Sequence, residues 1–117
     1  LVHWSGERGA TYFYQAELPY DGTNESYAVA GHVGYRVADA VTEHDAYGVG
    51  VYHYFRDHEV RVPAAIRCPT GLEHRFRSPL TVFLNGRGTI QHVLNVRGNA
   101  TGPKGGPGDV AHWCGAK

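Results

Sequence analysis

Gly48-Val49-Gly50-Val51-Tyr52-His53-Tyr54-Phe55 is the stretch that decides the fold class. Val49, Val51 and, less strictly, His53 and Phe55 fall on one face at a period of two, the alternation of an extended strand. Arg56-Asp57-His58 turns the chain, and Glu59-Val60-Arg61-Val62 alternates polar with apolar up to Pro63. Further on, Pro69-Thr70-Gly71 marks a turn. Arg75-Phe76-Arg77 and Leu80-Thr81-Val82-Phe83-Leu84 read as strands split by Pro79, and Asn85-Gly86-Arg87-Gly88 as a tight turn. Thr89 to Asn95 reads as the last strand, with Ile90, His92 and Leu94 opposite Gln91, Val93 and Asn95.

Toward the start, Thr11-Tyr12-Phe13-Tyr14-Gln15 is a short aromatic run after Gly9 and predicts a strand. Pro19 and Asp21-Gly22 end it and open a loop that runs to about Gly31. In Gly34–Val41 the apolar positions 37, 38 and 41 suit a short helix or a strand, and the alanines tilt the reading to helix. After Gly98, the run Gly102-Pro103-Lys104-Gly105-Gly106-Pro107-Gly108 predicts a linker or extended tail that packs no core. Cys68 and Cys114 could form a disulfide that ties this tail back. The whole reads as all-β, with short strands between Gly- and Pro-marked turns. An all-β sandwich and the irregular rungs of a right-handed parallel β-helix both fit this pattern.

At 117 residues the chain suits one domain. Eleven acidic residues balance eleven basic ones, so no net charge draws it to nucleic acid or to an anionic membrane. No apolar run is long enough to span a bilayer. The sequence has no Met and opens on Leu1-Val2-His3-Trp4 as though inside a strand, which predicts a processed product or a segment of something longer. The sequons at Asn24 and Asn99 are compatible with secretion, and an extracellular location is expected.

Glu17 is the candidate for chemistry. It follows an aromatic strand and precedes a turn, among Tyr12, Phe13, Tyr14 and Tyr20. Burial among such rings disfavours the charged carboxylate and suits a general acid, and the ring faces suit the C–H faces of sugars. The plainer reading is a turn carboxylate that accepts backbone N–H groups. Glu43, Asp45, Asp57 and Glu59 cluster in sequence with His44, His53 and His58, but no metal-ligand spacing joins them. There is no Gly-x-Ser-x-Gly elbow, and Asn85–Gly88 lacks the residues of a phosphate loop. Neither a metal nor another cofactor is called for. Arg75, Arg77 and Arg87 are scattered and form no basic stripe.

Several ordered segments carry a family resemblance. Tyr14-Gln15-Ala16-Glu17-Leu18-Pro19-Tyr20-Asp21 resembles the "YQSE-x-PYD" segment of family 55 glycoside hydrolases, the exo-β-1,3-glucanase or laminarinase type. Gly34–Asp39 and Thr42–Tyr52 resemble two further segments of that family in the same order, and Phe83–Gly88 with His92–Asn95 resembles its C-terminal rungs. The resemblance implies a right-handed parallel β-helix within a larger protein of two such helices. Residues 1–98 would then be C-terminal rungs carrying the acid, and 99–117 a Gly/Pro-rich tail. It further implies inverting exo-hydrolysis of a laminarin-like β-1,3-glucan, with Glu17 as the proton donor. Tyr20, Tyr14 and Gln15 would touch substrate, and the water-holding groups would sit on another part of the protein, a companion N-terminal portion. Ala16 departs from the family's Ser. The competing expectation is a non-catalytic carbohydrate-binding or structural module, which could self-associate end to end.

Overall fold

The computed structural model describes residues 1–114 of the 117. The backbone coils, and each coil lays its strands beside those of the coil before. The first coil holds β1 (Val2–Trp4), β2 (Gly9–Tyr12) and β3 (Gln15–Glu17), then a π-helical turn at Asn24–Val29. The second holds β4 (Tyr35–Val37), β5 (His44–Tyr47), β6 (Gly50–His53) and β7 (Arg61–Val62). The third holds β8 (Ile66–Arg67), a 3-10 turn at Thr70–Arg75, β9 (Phe76–Arg77), β10 (Leu80–Phe83) and β11 (Thr89–Ile90). The last strand, β12 (Asp109–His112), follows a 3-10 turn at Pro103–Gly105.

Four sheets result, in the orders β1-β4-β8, β2-β5-β9, β3-β6-β10-β12 and β7-β11. Every pairing between strands is parallel except β10 with β12. Parallel neighbours need long crossovers, and here a coil of roughly 30 residues supplies each one. That is a parallel β-helix, and it rules out the sandwich.

Inward side chains stack in columns. Tyr35 lies over Ile66, which bridges to Leu94, and Val51 lies between Ala16 and Thr81. The alternation read in Gly48–Phe55 holds: Val49, Val51, His53 and Phe55 are all buried. The corner between the second and third sheets recurs in each coil through one residue in the left-handed region. These are Phe13 (φ 57°), Gly48 (φ 66°) and Ser78 (φ 56°). The Phe13 amide donates to the Tyr47 carbonyl at 2.7 Å, and the Gly48 amide to that of Arg77 at 2.8 Å. A phenylalanine pays a steric cost at such a corner that glycine avoids. Its ring lies over Gly48, where any Cβ would collide with it.

The structure departs from several sequence expectations. The aromatic run is split at the Phe13 corner into β2 and β3. Gly34–Val41 holds a strand, not a helix, because Tyr35 and Val37 are buried between parallel neighbours on both sides. Tertiary pairing overrides the weak helix preference of its alanines. The loop to Gly31 contains the π-helical turn, capped at Thr23, whose side chain accepts from the Ser26 amide. Thr89–Asn95 is strand only at β11. Val93 and Leu94 are both buried, and Asn95 turns the corner at φ 52°. There the Asn95 amide group donates to the Cys68 carbonyl (3.0 Å) and to Glu73 Oε2 (2.7 Å).

The Gly/Pro-rich stretch runs back along the third coil. Thr101 and Ala111, on either side of the run 102–108, enter the interior. Ile90 and Thr101 exchange both backbone hydrogen bonds, at 3.0 and 2.9 Å. Cys68 and Cys114 are free thiols here and form no disulfide. Cys68 is buried behind β8 and its thiol is pushed up to about 12, chiefly by burial, whereas Cys114 is exposed beyond β12 in a different sheet. Residues 115–117 of the expected tail lie outside the described residues.

Candidate active site

Glu17 ends β3, the edge strand of its sheet. The parallel register sets Gln15 beside Gly50, Ala16 beside Val51 and Glu17 beside Tyr52. Ala16 points in, so Gln15 and Glu17 point out. The next residue, Leu18, is buried, and its amide donates to the Tyr52 carbonyl at 2.9 Å. This fixes Glu17 between an inward alanine and an inward leucine, with its carboxylate on the outer surface.

Tyr20 closes over it. The Arg56 amide donates to the Tyr20 carbonyl at 2.9 Å and pins the Pro19-Tyr20 turn to the second coil. The Tyr20 hydroxyl donates to Glu17 Oε1 at 2.9 Å, and the carboxylate beside it raises the phenol above its ordinary pKa. The Tyr20 ring meets that of Tyr54 at 5.0 Å between centroids, tilted 50°. Glu17 Oε2 accepts no hydrogen bond from the described residues. The carboxyl is thus oriented at one oxygen and open at the other.

The aromatic enclosure expected around Glu17 is not what these residues build. The glutamate is exposed. Tyr12 and Phe13, 65% and 81% exposed, stand on the far side of the corner, with Tyr12 stacked on Tyr47 at 4.9 Å. Tyr14 turns inward, where its hydroxyl donates to the Gly34 carbonyl at 3.2 Å and its ring leans on that of Tyr35. Of the residues named from sequence, Glu17, Gln15 and Tyr20 share the outer face, and Tyr14 does not. Tyr52 and Tyr54 share it as well, and sequence reading missed their part. Their signal was the outward register of Gly50, Tyr52 and Tyr54, which gains meaning only once β6 is known to lie beside β3.

Among the described residues, no second carboxylate lies on the outward register positions of β3, β6 and β10, which are Gln15, Gly50, Tyr52, Leu80 and Val82 besides Glu17. The residues weighed as metal ligands are dispersed. His44 Nε2 is 2.7 Å from the Tyr35 hydroxyl, and His53 Nε2 is 2.9 Å from Thr101 Oγ1. Asp45 takes the Arg75 guanidinium at 2.7 and 2.8 Å, which holds its carboxyl below the usual range, and Asp57 takes Arg56 at 2.9 Å.

No protein-family model matches the chain. In sequence it is 36% identical over 105 residues to an exo-β-1,3-glucanase of Streptomyces sp. SirexAA-E, covering 86% of this chain and 17% of that protein. In fold it matches the structure of sacteLam55A from the same organism with a TM-score of 0.81 and 31% identity, over 96% of this chain and 21% of the other. A glutamate-to-alanine variant of sacteLam55A, solved in complex with glucose, matches with the same TM-score and 30% identity. The chain thus spans about a fifth of the length of the proteins it resembles. Sequence and fold agree on one kinship: this chain is a homologue of a segment of a family 55 type exo-β-1,3-glucanase.

Proposed function

We propose that the chain is the acid-bearing part of a secreted, inverting exo-β-1,3-glucan hydrolase. Glu17 protonates the glycosidic oxygen from its free Oε2, and Tyr20 holds Oε1. A water held by another part of the protein attacks the anomeric carbon from the opposite face. Glu17–Tyr20 is the observation that carries this reading: an outward carboxyl on a strand edge with one oxygen oriented and one free. The glucanase kinship supports the substrate class. The lack, among the described residues, of a second carboxylate on the outward positions of β3, β6 and β10 supports a water-holding group on a companion N-terminal portion.

The test is laminarin hydrolysis by the full protein that contains this chain. Glu17→Gln is expected to cut kcat by about 10²–10⁴-fold, the usual worth of a positioned acid. The first product seen by NMR should have the inverted anomeric configuration. Hydrolysis unchanged in Glu17→Gln would sink the acid assignment. A non-catalytic glucan-binding module is favoured by the exposure of Glu17. Binding of laminarin without hydrolysis, in the full protein, would select it.

A further inference from the structure

We infer that Tyr52, on the strand beside Glu17, is a sugar-stacking platform, a subsite for one glucosyl ring of a neutral β-linked glucan. This rests on the glucan reading above and adds the residue that would hold the ring. Tyr52 is the register partner of Glu17 on the adjacent strand, so both side chains leave the sheet on the same outer face. The Tyr52 ring does not stand upright. A Cβ placed on Gly50 would lie 3.3 Å from Tyr52 Cε1 and 3.6 Å from Leu80 Cδ1. Gly50 and Tyr52 are two apart on one strand face, so the ring is laid back along the sheet over the space that the glycine leaves. Leu80, the register partner of Gly50 on β10, lies over the same glycine.

A ring laid along a sheet keeps one face against the protein and turns the other outward. Tyr52 is half-buried, as that posture requires. The outward face is apolar, whereas its surroundings are polar: Gln15 and Glu17 leave the adjacent strand on the same face, and the Tyr20 hydroxyl, its ring against Tyr54, is held to Glu17. A hexose in a β-linked chain has the complementary surface, an axial C–H face ringed by equatorial hydroxyls. A sugar ring on Tyr52 would lie on the same outer face as the free Oε2 of Glu17. A protein segment packed there would need its own donor for that oxygen, and an aliphatic one would strand it.

The experiment measures binding of laminaritriose to the full protein carrying Glu17→Gln, by calorimetry or by NMR, with and without Tyr52→Leu or Tyr52→Phe. Urea midpoints check that each variant is folded. Tyr52→Leu is expected to weaken binding about tenfold, and Tyr52→Phe, which keeps the ring face, by no more than about twofold. Equal affinity in Tyr52→Leu, or no binding to the parent, would overturn the platform. So would losses of equal size in the two variants. The two readings fail separately. Ring-dependent binding in a protein that never hydrolyses laminarin keeps the platform and removes the hydrolase. Glu17-dependent hydrolysis indifferent to Tyr52→Leu does the reverse.

Discussion

The two ends of the coil are built differently. At the far end, β12 runs antiparallel along β10, Thr101 pairs with Ile90, and the Leu94–Arg97 turn folds over the first sheet. Among the described residues the edges of β8, β10 and β11 are met there while that of β9 is not, and the buried Thr101 hydroxyl is 2.9 Å from His53 Nε2. At the near end, β1, β2 and β3 are each the outermost strand of their sheet, with outward edges unpaired among the described residues. Glu17, Tyr12 and Phe13 stand exposed there, and Phe13 holds a strained corner. An unpaired parallel edge is a template for another strand. The contrast teaches a division of labour between the buried interior, which carries the stability, and the exposed outer face, which carries the carboxyl.

The division can be broken most forcefully in the interior. Phe55 is fully buried, so Phe55→Ala should cost about 3–5 kcal/mol in urea unfolding. A loss below about 1 kcal/mol would mean that the interior is not where the stability resides. The next test is pH. Burial pushes His53 down to about 4, whereas an unfolded histidine titrates near 6.5. The unfolded chain therefore takes the proton first. Stability from this group is present above about pH 6.5 and is lost as pH falls through about 4, by about 3 kcal/mol in all. His44, also lowered by burial, acts in the same sense. Urea midpoints from pH 7 to pH 4 should fall, and His53→Gln should flatten the slope. An unchanged slope in that variant would clear His53 of the effect.

The open end should respond weakly and with the opposite sign. Phe13→Gly relieves a left-handed corner at an exposed residue and should stabilise the fold by about 1 kcal/mol. Destabilisation would show that the ring over Gly48 carries packing after all. The smallest effect belongs to Glu17→Gln. One exposed hydrogen bond, from Tyr20, is at stake, and the urea midpoint should move by less than about 0.5 kcal/mol while laminarin hydrolysis collapses. A large stability loss there would make Glu17 a structural turn residue.

Much of the fold was legible in particular residues. Gly48–Phe55 announced a half-buried strand, and all four of its inward positions are buried. The turns at Asn85–Gly88 and Pro69–Gly71 fall between strands, as their Gly and Pro require. The misreadings sit where local preference met a distant partner. Ala38 and Ala40 suggested helix, but Tyr35 and Val37 are claimed by β1 on one side and β8 on the other. The Gly/Pro run of 102–108 gave no hint that Thr101, just before it, finds His53.

By itself the sequence determined the all-β class, the strand of the second coil, the neutral charge, and Glu17 as the residue to watch, through the motif of residues 14–21. Only the tertiary structure decided that Glu17 lies beside Tyr52, that Tyr20 is held to it through the Arg56 amide, and that Tyr14 leaves the site for the interior. The physical reason is the coil. In a parallel β-helix, side chains that touch across a sheet are separated by a whole turn of roughly 30 residues. Periodicity within a strand reports which way each side chain points. It is silent on which strand lies next to it, and that neighbour is where this site is made.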